Sequence, residues 1–132
     1  MEKPAVNLIF QVALCVENME QTLENWRKIF DFDESTIVRK STKDAYEREN
    51  WNGLNYNEQP CEFFHKFCRF SLGGLDIEII EPLDKSPGNP YSDFLIEHGS
   101  GIHHLGVKIG NQPALMKTMK EMGMSPEEIN GV

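Results

Sequence analysis

The stretch Gly101-Ile102-His103-His104-Leu105-Gly106-Val107-Lys108-Ile109 constrains the fold more than any other part of the chain. It reads as a short strand reached through a glycine turn, with Gly99 and Gly101 supplying backbone freedom. Strand side chains alternate between faces. His103, Leu105, Val107 and Ile109 are therefore expected on one side, against a helix, and His104, Gly106 and Lys108 on the other. The tiny residue beside His104 leaves its imidazole aimed at open space. Two further strands share this shape. From Ile9 to Cys15, Gln11 stands behind Phe10, Val12 and Leu14; from Leu75 to Glu81, Glu78 stands behind Ile77 and Ile79. If all three aliphatic faces pack on helices, Gln11, Glu78 and His104 project from the reverse of one sheet. One amide oxygen, one carboxylate and one imidazole suit a divalent ion such as Zn, Ni, Co, Mn or Mg. Alternatively, Gln11 and Glu78 line a solvated sheet face.

The rest of the chain supplies the elements around these strands. Asn18 and Gln21 form a capping-box pattern before Met19, Leu23, Trp26 and Phe30, an apolar stripe at helical spacing over residues 19–30. Ser35 to Lys40 is a second strand. Residues 41–60 are polar, carry the turn signal Asn52-Gly53 and scatter Tyr46, Trp51 and Tyr56 without a period, so they form a lid or are disordered. Phe63 to Leu72 and Leu75 to Glu81 are strands joined at Gly73-Gly74, a tight hairpin turn. Asn89-Pro90 opens a short helix that ends at Gly99. Gln112-Pro113 opens another, with Leu115, Met116, Met119 and Met122 as its stripe. Residues 124–132 carry no assignable pattern. The expected core sets Phe10, Val12, Leu14, Ile77, Ile79, Leu105 and Val107 against Leu23, Trp26, Phe30 and the stripe from Leu115 to Met122.

At 132 residues the chain is one domain's worth. Its net charge of −8 argues against a nucleic-acid partner, which needs a clustered basic face, and equally against an anionic membrane surface. No basic segment followed by an apolar run marks a secretory signal, and no apolar run approaches a membrane span. The three cysteines have no zinc-type spacing and read as reduced thiols of a cytoplasmic protein.

The chain resembles the vicinal oxygen chelate superfamily, the glyoxalase, bleomycin-resistance and dioxygenase group, from about Asn7 to Gly123. The residues that carry the likeness are Phe10 to Glu20 (FQVALCVENME), Leu72 to Pro82 (LGGLDIEIIEP) and Phe94 to Gly106 (FLIEHGSGIHHLG). The G-x-G-I-H-H start of the last strand is similar to methylmalonyl-CoA epimerases and their glyoxalase relatives. The resemblance implies an α+β fold of paired βαβββ modules forming a cup-shaped half-barrel. Residues 1–132 would be a single domain, with 6–83 the first module, 84–101 a linker and 102–132 the start of a second. Carried over position by position, Gln11, Glu78 and His104 fall where three of the family's four metal ligands stand. The fourth, usually a glutamate on the last strand of the second module, has no counterpart before Val132, and Glu127 and Glu128 do not look like strand ligands. The second module is expected to be truncated at its C-terminus or completed by a partner chain. Epimerases typically have histidine at the position of Gln11 and glutamine at that of Glu78; the set found here is closer to some glyoxalase I enzymes.

The activity so implied is that of a metal-dependent isomerase or lyase, epimerase-like or lactoylglutathione lyase-like, moving a proton next to a carbonyl. One divalent ion stabilises the enolate or enediolate, and Glu78 is the candidate base. Asp76 is a second carboxylate on the same face. Arg69 and Lys108 could hold an anionic part of a small-molecule substrate such as a thioester or 2-oxo compound. His103 is expected to be structural. The alternatives are metal-free binding of a small molecule, as in bleomycin-resistance proteins, and an inactive truncated homologue. The unpaired edge of the strand from His104 to Ile109 makes a homodimer the expected assembly.

Overall fold

A computed structural model describes residues 3, 5–49, 55, 56 and 59–124. Strand β1 (Leu8–Cys15) leads to Asn18, whose side chain accepts from the Gln21 amide and starts helix α1 (Met19–Arg27). A one-turn 3-10 helix capped by Asp33 takes up Glu34–Thr36, so strand β2 (Val38–Ser41) begins later than the pattern predicts. The described part of residues 41–60 is not featureless. It contains helix α2 (Thr42–Glu49) and the two-residue strands β3 (Asn55–Tyr56) and β4 (Gln59–Pro60). The expected turn at Asn52-Gly53, Trp51, and the carboxylates Glu127 and Glu128 lie outside the described residues. Thr42 anchors α2: its hydroxyl donates to the His65 carbonyl and accepts from the His65 amide. Tyr46 then packs edge-on against Phe64. The hairpin of β5 (His65–Leu72) and β6 (Leu75–Pro82) turns on Gly73 and Gly74, both at positive φ. Asn89 caps α3 (Pro90–His98), strand β7 (Gly101–Lys108) follows, and Asn111 caps α4 (Gln112–Glu121).

The five main strands form one sheet in the order β2-β5-β6-β1-β7, with β1 parallel to β6 and every other pair antiparallel. This is the expected α+β half-barrel sheet. One face carries Val12, Leu14, Cys68, Phe70, Ile77 and Ile79 and packs on Met19, Leu23 and Trp26 of α1. The opposite, inner face carries Ala13, Cys15, Phe67 and Ile80. There α3 closes one end with Tyr91 and Leu95, beside Phe63.

Strict alternation fails at two points. The β1–β7 ladder skips Phe10 on one strand and His103 on the other, so each strand carries a β-bulge that puts two consecutive side chains on one face. Phe10, expected against α1, turns to the inner face: its ring and the Gln11 side chain both crowd the place where a Gly106 Cβ would stand. His103, also expected on the α1 side, turns inward and lies between Tyr91 and Phe94 of α3.

The two bulges are related. An antiparallel pair has a local two-fold axis, and the register Gln11↔Gly106 and Ala13↔His104 sets that axis between those two rows. It exchanges Gln11 with His104, Phe10 with His103 and Ala13 with Gly106, a constant offset of 93 residues. The same offset carries Asn18 onto Asn111, and both are N-caps whose side chains accept from the third residue on. Packing does not follow this symmetry. Leu23 of α1 is fully buried, whereas Met116, its equivalent in α4, is 43% exposed. α4 has no buried residue, Leu105 is 52% exposed and Phe30 is 41% exposed, against expectation. α1 lies over three strands, β1, β6 and β5. Among the described residues no strand flanks β7 on its far side to give α4 the same floor.

Candidate functional site

The inner face is arranged in rows running across the strands. Glu78 on β6, Ala13 on β1 and His104 on β7 form one row; Asp76, Gln11 and Gly106 form the next. Neighbouring strands are about 4.8 Å apart, so Glu78 and His104 start roughly 10 Å apart at their backbones. Their side chains nevertheless approach to 3.7 Å, Glu78 Oε1 to His104 Nε2. Ala13 permits this, because it is fully buried between them and too small to intervene.

Gln11 reaches the same face one row away. Its Nε2 donates to Asp76 Oδ2 at 2.7 Å. Only an amide N–H can donate to a carboxylate, so the orientation of the amide is fixed and Oε1 is turned away from Asp76. That oxygen lies 2.9 Å from where a Gly106 Cβ would stand. The small residue beside His104 is thus filled by Gln11 rather than left as open room. Gly106 does for Gln11 what Ala13 does for His104.

Asp76 is shared. Arg69 donates to the same Oδ2 from Nε at 3.0 Å, with an amino nitrogen at 2.9 Å. Arg69 is therefore committed to a chain of contacts ending at Gln11. It also lines an open groove of about 460 Å³ with Thr36, Val38, Lys40, Phe67 and Ser71. Lys108 sits 4.4 Å above the Phe10 ring, a cation–π contact on the inner face.

His103 and His104 place their Nδ1 atoms 2.9 Å apart. Burial, and then the neighbouring His103, lower the His104 pKa from the ordinary imidazole value and so favour its neutral ring. His65, on the same face of β5, has its pKa pushed down to about 4 by burial, with His104 and His103 adding to the effect. Burial raises the thiols of Cys15 to about 12 and Cys68 to about 11, and all three cysteines are free.

Gln11 Oε1, Glu78 and His104 Nε2 are the donors that could hold a cation. Two bonds of about 2.1 Å can span donors up to about 4.2 Å apart, so the Glu78–His104 pair fits one ion. The Gln11 amide oxygen, one row away, would make it a mixed O/N set. Among the described residues no three His, Cys, Asp or Glu side chains group around one point. Strand alternation cannot reveal the contact between His103 and His104, because the bulge is invisible to it. The repeated Asn caps carry the signal that could, since the offset aligning them also pairs Phe10-Gln11 with His103-His104.

A profile described as the Glyoxalase/Bleomycin resistance protein/Dioxygenase superfamily matches residues 10–131, and the chain belongs to that superfamily. Among solved structures it is similar to methylmalonyl-CoA epimerase from Mycobacterium tuberculosis, with a TM-score of 0.61 and 15% identity over 93% of this chain and 69% of that one. A variant of the Streptomyces coelicolor methylmalonyl-CoA epimerase in complex with 2-nitronate-propionyl-CoA aligns with a TM-score of 0.50 and 12% identity, over 90% of this chain and 74% of that one. At these identities the likeness establishes the fold. No curated protein sequence matches the chain.

Proposed function

We propose that the inner face binds one divalent cation through Gln11, Glu78 and His104 and supports proton transfer next to the carbonyl of a small molecule, an isomerase or lyase activity. The approach of Glu78 to within 3.7 Å of His104 across the Ala13 gap carries this reading. The ion would supply Lewis acidity to substrate oxygens. Glu78, mostly buried, is the carboxylate that takes the proton and returns it to the same or the adjacent carbon. Neutral His104 and the oriented Gln11 amide hold the site's geometry. Arg69, through the groove it lines, and Lys108, from the opposite end, face an anionic portion of substrate. A CoA thioester, as in the similar epimerases, or a 2-oxo compound meets that description.

The modular division belongs to the same proposal: residues 6–83 as one βαβββ module, 84–101 a linker and 102–132 the start of a second, related by the two-fold between β1 and β7. So do a homodimer and, from three free cysteines, a cytoplasmic setting. Among the described residues no helix is long and apolar enough to cross a membrane. One observation favours a second reading, metal-free capture of a small molecule: among the described residues no third His, Cys, Asp or Glu joins Glu78 and His104 in a group that could hold an ion.

Solvent deuterium exchange at the α-carbon of methylmalonyl-CoA and of a glutathione hemithioacetal, followed by proton NMR with and without Co2+, tests the proposal. Cation-dependent exchange that is lost in Glu78→Gln and weakened in His104→Ala is the expected result. Tight ligand binding with no exchange and no cation uptake would instead establish metal-free capture.

A further inference from the structure

A neutral imidazole has one N–H and one lone pair, and which nitrogen carries which decides whether it can ligate. Two Nδ1 atoms 2.9 Å apart cannot both bear a proton or both lack one without repulsion. One ring donates and the other accepts, so the tautomers of His103 and His104 are tied together. The far nitrogen of His104, Nε2, faces the Glu78 carboxylate at 3.7 Å. With no cation between them, that carboxylate favours an N–H at Nε2, which makes His104 Nδ1 the acceptor and His103 the donor. For His104 to offer Nε2 to a cation it must carry its proton on Nδ1, and His103 must then accept.

We propose that His103 is a positioning residue that sets the ligating tautomer of His104 through a paired exchange. Without a cation, His103 is protonated at Nδ1 and His104 at Nε2. With one bound, His104 is protonated at Nδ1 and His103 at Nε2. One proton crosses the Nδ1–Nδ1 contact from His103 to His104, the proton displaced from His104 Nε2 passes to solvent water, and His103 Nε2 takes one from solvent, so each ring keeps one proton and the net charge is unchanged. The structure holds the pair in register in two ways. The bulge at His103 puts both rings on one face, and Tyr91 and Phe94 pack against the His103 ring at centroid distances of 5.1 and 5.0 Å. Asp76 plays the matching part for the two-fold-related Gln11, taking its N–H so that its oxygen faces the other way. The inference rests on the cation reading of this site and adds to it the residue that makes His104 competent.

Long-range proton–nitrogen correlation spectra of 15N-labelled protein at pH 7.5 report the tautomer of each ring directly. In metal-free protein His104 should show the Nε2–H pattern and His103 the Nδ1–H pattern; saturating Zn2+ should invert both. His103→Leu, which lacks an acceptor, should weaken Zn2+ uptake by 10-fold or more. His103→Asn, whose carbonyl oxygen can accept near the position of Nδ1, should restore it to within about threefold and keep the Nδ1–H pattern at His104. Zn2+ uptake by the unaltered protein with no change in either ring overturns the proposal alone, as does equal uptake by His103→Leu. Absence of Zn2+ uptake by the unaltered protein overturns the cation reading and the proposal with it.

Discussion

A methyl group at position 106 is the smallest change that disturbs the site. It would sit 2.7 Å from Gln11 Cβ, the root of that side chain rather than its flexible end. Gly106→Ala should therefore lower stability by about 1–3 kcal/mol and weaken cation uptake, as read by urea unfolding and zinc titration. Unchanged values in both would show that Gln11 is not held where the glycine leaves space. His65 makes a second residue-scale test. Its ring is 7% exposed and Nδ1 has no partner among the described residues. The folded form resists protonation down to about pH 4, while the unfolded form takes a proton near its ordinary value of 6.5. Stability is thus full above about pH 6.5 and falls as pH drops from there toward 4, by about 3 kcal/mol in all. The urea midpoint measured across that window should fall, and His65→Phe should flatten the profile. At this scale Gln11, Glu78 and His104 are legible in the sequence as single donors behind aliphatic faces. Asp76 as the partner of Gln11 is not, because it comes from a strand distant in the chain.

Helices are legible where a start signal precedes them, as at Asn18, Asn89-Pro90 and Gln112-Pro113, although the cap of the last, Asn111, is found only in the structure. Helix α2 escapes because polar residues surround Tyr46 and its anchor, Thr42, bonds to the backbone of a residue beyond the loop. The bulges escape because alternation counts residues in twos and has no symbol for an extra one. The stripe of α4 is read correctly as apolar and wrongly as core, since a sequence does not say how many strands lie beneath a helix. That difference is measurable. Leu23→Ala, in a fully buried site, should cost about 2–5 kcal/mol in denaturant unfolding. Met116→Ala, at the two-fold-related position, should cost less than about 1 kcal/mol. Equal costs would mean that α4 has a floor after all.

At the scale of the molecule, the sheet order among the described residues leaves β7 at an edge, and within that strand Ile102 is 63% and Leu105 52% exposed. An apolar edge strand of this length recruits a partner, and a second copy would extend the sheet beyond β7. Light scattering at micromolar concentration should give twice the chain mass, with dissociation on Leu105→Lys. A monomer at all concentrations would exclude this assembly.

The place of β1 between β6 and β7 also has a consequence for how the chain comes off the ribosome. Among the described strands of this sheet, the earliest to be made is the one whose two neighbours are made last: β6 ends at Pro82 and β7 at Lys108. Gln11 therefore emerges early and waits unpaired while most of the described chain is synthesised. Its contacts close only over long stretches of sequence, and such contacts form slowly. The inner face is complete only once β7 has been made, so a nascent chain arrested before His104 would lack the Glu78–His104 pair and with it the site.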